Sequence, residues 1–126
     1  MAQPRALVVD DERDAAESFA RLIETLGCTA AFVTDPRAAM ELAEEVKPEI
    51  IFLDIGMPGL NGLELARMLR ARYGWHIRIV AVTAHAGDDD RALSREAGFD
   101  AHIAKPVSVE LIRDLLHTLF PQMRWQ

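Results

Sequence analysis

With 126 residues, half of them hydrophobic and 27% charged, the chain has the size and balance of one globular domain with one core. A formal net charge of −6 argues against nucleic acid as a direct partner, because phosphate binding needs clustered Lys and Arg. The one cysteine, Cys28, excludes an internal disulfide and points to a reducing compartment. The short apolar run near the N-terminus is wrong for a signal peptide or a membrane span, so the chain reads as cytoplasmic, with no membrane insertion.

Ala6-Leu7-Val8-Val9 is a buried-strand pattern that ends in Asp10-Asp11-Glu12. From Arg13 to Leu26, apolar residues at Ala16, Phe19, Ala20, Ile23 and Leu26 are spaced by three and four, which predicts an amphipathic helix with Gly27 at its C-terminus. Thr29 to Val33 reads as a second strand. Asp35-Pro36 is a helix start, with Asp as N-cap and Pro at the first helical position, and the helix stops before Pro48 because Lys47 precedes a proline. Ile50-Ile51-Phe52-Leu53 is an apolar run fit for burial on both faces. It ends in Asp54, and Ile55-Gly56-Met57-Pro58-Gly59 turns the chain at once. Asn61 can cap a helix through Leu63, Leu65, Ala66, Leu69 and Arg70 that ends near Gly74, with Trp75 and His76 in the following loop. Ile77 to Val82 is a fourth strand ending in Thr83. Asp88-Asp89-Asp90 suits the start of a helix through Ala97, closed by Gly98. Ala101 to Ala104 is a fifth strand ending in Lys105-Pro106, and Ser108 caps a last helix through Leu119.

Strict strand–helix alternation predicts a doubly wound α/β fold: a five-stranded parallel sheet with helices on both faces and right-handed crossovers. In such a sheet, Asp10, Asp11, Asp54, Thr83 and Lys105 gather along the carboxyl edge, where ligands bind. Taken singly, each has a plainer explanation. Asp10 and Asp11 could cap the first helix, Asp54 could form the turn, Thr83 could simply close a strand, and Lys105 could be a solvated surface lysine. Taken together, three carboxylates in one place call for a positive partner. Hard oxygen ligands suit Mg²⁺ or Mn²⁺. A nucleophilic carboxylate, a metal, a lysine and a hydroxyl are what phosphoryl transfer to an aspartate requires.

The sequence resembles the receiver domain of two-component response regulators. The resemblance rests on Val8-Val9-Asp10-Asp11-Glu12, on Leu53 to Gly62, on Val82-Thr83-Ala84, on Ala97-Gly98-Phe99-Asp100 and on Lys105-Pro106, and it runs from Ala6 to about Leu119. It implies the flavodoxin-like strand order 2-1-3-4-5 and a single receiver domain over residues 1–126 with no output domain. It implies that Asp54 accepts a phosphoryl group from a histidine kinase or histidine phosphotransfer protein. Mg²⁺ would be held by Asp11, Asp54 and the Gly56 carbonyl, with Asp10 acting through a water. Lys105 and Thr83 would contact the phosphoryl oxygens, and the Lys105–Pro106 peptide is a candidate cis bond.

Two positions depart from the family pattern. His102 stands where Tyr or Phe is usual, either as a titratable switch residue or as a half-exposed histidine with no such role. Gly56 stands where larger side chains are common. That position and His85 are candidates for tuning loss of the phosphoryl group, with an idle loop histidine the alternative for His85.

The expected signalling surface comprises the last two helices and the fifth strand, near Arg91, Ser94, Arg95, His102 and Asp114 to Thr118, facing an unknown downstream protein. No DNA-binding region follows Leu119 in this sequence. The expected action is therefore through protein contacts, either as a stand-alone receiver or as the receiver part of a longer protein such as a hybrid kinase. Three other readings compete. A Mg²⁺-dependent aspartyl phosphatase usually carries a second acid where Gly56 stands. A dinucleotide or flavin protein needs a glycine-rich turn where Asp10-Asp11-Glu12 stands. A docking receiver that is not phosphorylated would not need all five site residues.

Overall fold

The computed structural model describes residues 3–55, 62–83 and 96–122. Its strands are β1 (Arg5–Val9), β2 (Thr29–Val33), β3 (Ile50–Asp54), β4 (Arg78–Thr83) and β5 (Ala101–Ala104). They form one parallel sheet in the order β2-β1-β3-β4-β5. The described helices are α1 (Arg13–Thr25), α2 (Ala39–Val46), α3 (Gly62–Tyr73) and α4 (Val109–Leu119). The helix expected to begin at Asp88 falls largely outside the described residues, of which only Glu96 and Ala97 are helical there.

Period-two alternation along the strands divides the core between the two faces. Ala6, Val8, Ile50, Phe52, Val80, Val82 and Ile103 pack under Ala16, Ala20 and Ile23 of α1 and Ile112 and Leu116 of α4. Leu7, Val9, Ile51, Leu53, Ile79 and Ala81 pack under Ala39 and Ala43 of α2 and Leu65, Ala66 and Leu69 of α3. Strand β3 is buried along both faces from Ile50 to Leu53, and each such aliphatic side chain contributes about 1.5–3 kcal/mol by leaving water. That burial makes β3 the rigid post on which Asp54 stands.

Local chemistry sets the element ends. Thr25 is the last residue of α1, and Gly27 follows with φ 114°. Lys47 closes α2 in the left-handed region at φ 51°, which lets the chain reach Pro48 without continuing the helix. The Ser108 hydroxyl accepts from Leu111 N at 3.0 Å and caps α4. Two short stretches differ from the sequence expectation. Asp35 caps a 3-10 turn at Pro36–Ala38, and α2 begins only at Ala39. The Asp35 carboxylate accepts from Arg37 N at 2.9 Å as the cap, and Ala38 N donates to the Asp35 carbonyl at 3.0 Å, the i→i+3 bond of a 3-10 turn. Trp75 likewise lies in a 3-10 turn, Gly74–His76, between α3 and β4.

Candidate functional site

The chain leaves β1 for β2 on one side and returns to β3 on the other, so a crevice opens beyond the carboxyl ends of β1 and β3. Asp10 immediately follows β1, and Asp54 is the last residue of β3. One carboxylate oxygen from each of Asp10, Asp11 and Asp54 lies within 4.8 Å of the others, with Asp10 buried, Asp54 half-buried and Asp11 exposed. The two oxygens of Asp10 serve different partners. Oδ1 accepts from Glu12 N at 3.0 Å and shapes the entry to α1, whereas Oδ2 accepts from Lys105 Nζ at 3.2 Å. The capping role weighed for Asp10 therefore coexists with a place in the cluster.

Lys105 follows β5 directly and reaches back across the sheet edge. Its Nζ also donates to Asp54 Oδ2 at 3.4 Å. Burial alone would pull the ammonium toward its neutral form, but the charges of Asp10 and Asp54 and their hydrogen bonds outweigh that, and the pKa is raised above the ordinary lysine value. Thr83 closes β4, is buried, and accepts from Lys105 N through its carbonyl at 2.8 Å. The backbone thus ties the two residues expected to face a phosphoryl group. The Lys105–Pro106 peptide is cis. His102 is half-buried on β5, opposite Ala81. Gly56, His85, Arg91, Ser94 and Arg95 lie outside the described residues.

A cavity of about 540 Å³ opens onto this cluster. Its lining includes Asp10, Asp54 and Lys105 together with the apolar side chains of Phe19, Leu22 and Val107. Sequence periodicity placed Phe19 only on the core face of α1. Its half-buried ring also borders the site, a role that spacing along one helix cannot disclose.

Residues 6–117 match the family described as the response regulator receiver domain. The DNA-binding response regulator MtrA of Mycobacterium tuberculosis (strain H37Rv) is 36% identical over 102 residues, which are 81% of this chain and 44% of that protein. The transcriptional regulatory protein PrrA of Mycobacterium bovis is 36% identical over 113 residues, 89% of this chain and 48% of that one. The chain thus spans less than half the length of these relatives. Among solved structures, a CheY-like receiver domain from Methylobacillus flagellatus superposes with a TM-score of 0.82 at 28% identity, covering 94% of this chain and 99% of that one. Such a sheet, with acids at the ends of β1 and β3 and a lysine after β5, defines a signalling domain of two-component systems. The chain belongs to the response regulator receiver domain family.

One sequence expectation is corrected by these relatives. Net charge argued against direct nucleic-acid contact, yet MtrA is a DNA-binding response regulator. The charge of a stretch that covers 44% of such a protein reports on that stretch alone. Mild acidity in a receiver does not constrain what the protein it serves can bind. Among the described residues, no helix is long and apolar enough to cross a membrane.

Proposed function

We propose that this receiver is a phosphorylation switch that accepts a phosphoryl group on Asp54 from a histidine kinase or histidine phosphotransfer protein. The observation that carries the reading is the Lys105 ammonium, 3.2 Å from Asp10 and 3.4 Å from Asp54, beside a carboxylate held rigidly at the end of a buried strand. The donor set of Asp10, Asp11 and Asp54 is all hard oxygen on three separate carboxylates. That fits Mg²⁺ or Mn²⁺ and gives no reason to expect a softer metal. Asp11 and Asp54 would hold the ion, with Asp10 acting through a water and Gly56 offering its carbonyl. Bound there, the ion would supply charge neutralisation for phosphoryl oxygens.

The chain's own groups carry out the transfer. An Asp54 carboxylate oxygen attacks phosphorus. The bond from phosphorus to the donor's imidazole nitrogen breaks, the electron pair leaves with the nitrogen, and an aspartyl phosphate remains. The Lys105 ammonium, already beside Asp54, follows the charge onto the phosphoryl oxygens. The Thr83 hydroxyl donates to another of those oxygens by turning inward. The cavity flanked by Phe19, Leu22 and Val107 leaves room for the donor's approach to Asp54.

The domain catalyses its own phosphorylation and dephosphorylation in this exchange and is a phosphoacceptor signalling domain, not an enzyme acting on a separate substrate. Phosphorylation then biases a pre-existing two-state equilibrium, read by a downstream protein at a surface that includes β5 and α4, near His102. The relatives named as DNA-binding response regulators support an output that controls DNA binding.

Incubation with a phosphorylated histidine phosphotransfer protein tests the reading. Borohydride reduction of the product should convert one aspartate to homoserine, and peptide mapping should place it at position 54. Transfer mapped to any other residue, or no transfer from any phosphohistidine donor, would overturn it.

A further inference from the structure

Arg70, near the end of α3, has all five of its N–H donors engaged. Nε donates to the Gly98 carbonyl at 3.0 Å, and Nη2 donates to the same oxygen. Nη1 donates to the carbonyls of Gly74 at 2.7 Å and Ile77 at 2.9 Å. The remaining Nη2 hydrogen goes to Asp100 Oδ2 at 2.9 Å. The Trp75 ring covers the flat of the guanidinium, with its centroid 3.9 Å from Cζ. A planar fork with every donor used is fixed in one geometry, which a lysine cannot reproduce. Gly98 is shaped to receive it. Its φ is +97°, and a Cβ there would stand 3.3 Å from Arg70 Cγ.

The same Asp100 oxygen accepts from Ile79 N at 2.8 Å, and Asp100 N donates to Ile79 O at 2.8 Å. Arg70 and Asp100 therefore hold the residue just before β5 against β4. Strand β5 has only four residues, Ala101 to Ala104, and lies at the sheet edge. A strand so short makes few ladder bonds, so its placement depends on how its ends are fastened. The end after β5 is Lys105, roughly 16 Å from Asp100 at about 3.3 Å per residue.

We propose that Arg70 and Asp100 are positioning residues for phosphoryl transfer: their clamp fixes where β5 enters the sheet, and so where the Lys105 ammonium stands against Asp54. The proposal rests on Asp54 being the phosphoacceptor. It assigns the far end of the sheet a part in the chemistry, through one short strand.

The test uses Arg70→Lys, with Asp100→Asn as the gentler second variant, well below the thermal midpoint of each. Rates of phosphorylation by acetyl phosphate at saturating Mg²⁺ are measured in a double-mutant cycle with Lys105→Ala. The folded Arg70→Lys protein should react about tenfold more slowly than the native chain, the order expected from sub-ångström misplacement of a catalytic group. In the Lys105→Ala background the same substitution should have no further effect, because its action runs through the missing ammonium. In metal-free protein, the amide resonances of Thr83 and Lys105 should move in the Arg70 and Asp100 variants. Rates equal to native in both folded variants, losses that multiply undiminished in the Lys105→Ala background, or unmoved Thr83 and Lys105 amides would each overturn it. If the native chain itself takes no phosphoryl group, the reading of Asp54 fails and the proposal falls with it. A phosphorylated native chain with indifferent variants sinks the proposal alone.

Discussion

Lys105 Nζ lies 3.4 Å from Asp54 Oδ2, bridging residues 51 positions apart across the carboxyl edge of the sheet. It also holds buried Asp10. Removing it as Lys105→Met leaves carboxylates facing one another without a countercharge. In metal-free solution the variant should lose about 1–3 kcal/mol of stability, the cost of an uncompensated buried polar group, and added Mg²⁺ should restore much of the loss. The native pair also sets a pH window. The folded-state pKa of Lys105 is raised, so its stabilisation is full below the ordinary lysine value of 10.5 and is lost as pH climbs through the higher folded value. Thermal melts from neutral to strongly alkaline pH, native against variant, read both effects.

Asp11 is the exposed member of the acidic cluster, and among the described residues none forms a hydrogen bond or ion pair with its side chain. Asp11→Asn should therefore fold normally yet lose the cation. Mg²⁺ at about one hundred times its dissociation constant should stabilise the native chain by about 2.7 kcal/mol, a rise of several degrees in Tm. The variant should show little or no rise at the same concentration. Equal rises in both proteins would remove Asp11 from the site.

Gly62 opens α3 directly behind the site. A Cβ there would lie 2.5 Å from Ile55 Cα and 2.6 Å from the Asp54 carbonyl oxygen, both backbone atoms that cannot swing aside. Gly62→Ala should destabilise by about 1–3 kcal/mol or more through overpacking. It should also slow reaction at Asp54, because the clash pushes on that residue's own backbone. Denaturant unfolding with a parallel rate measurement checks both.

The parallel sheet was legible because β1, β3 and β4 carry unbroken apolar runs, Ala6–Val9, Ile50–Leu53 and Ile79–Val82, each closed by a polar residue. The strand ends at Asp54 and Ala104, and the Ser108 cap, fall where the sequence places them. Strict strand–helix alternation also places Asp10, Asp54 and Lys105 at one edge of the sheet. The 3-10 turn at Pro36–Ala38 was not legible, because an Asp-Pro start with an Asp35 cap is shared by 3-10 and α geometry, and only the backbone bond from Ala38 N to the Asp35 carbonyl separates them. The Arg70 clamp was hidden for a different reason. Three of its acceptors are backbone carbonyls, at Gly74, Ile77 and Gly98, and any residue can supply a carbonyl. The nucleic-acid expectation failed because net charge was read for a stretch that relatives carry as part of a longer protein.

Cys28 is buried, and that burial, aided by the charge of Glu49, pushes its thiol up to about 11 from an ordinary 9.0. The folded chain keeps the thiol protonated where the unfolded chain releases the proton. Stability should therefore decline between about pH 9 and pH 11. Cys28→Ala should flatten that part of the profile. At neutral pH the native thiol should resist alkylation until the protein is unfolded.

The central claim is that Asp54 is a metal-assisted phosphoacceptor. Its most direct measurement is intact mass after incubation with acetyl phosphate, with and without Mg²⁺, on the native chain and on Asp54→Asn. The account predicts one phosphoryl adduct on the native chain only when Mg²⁺ is present, labile to base and hydroxylamine, and none on Asp54→Asn. An adduct that persists in Asp54→Asn, or that forms equally well without a divalent cation, would contradict it.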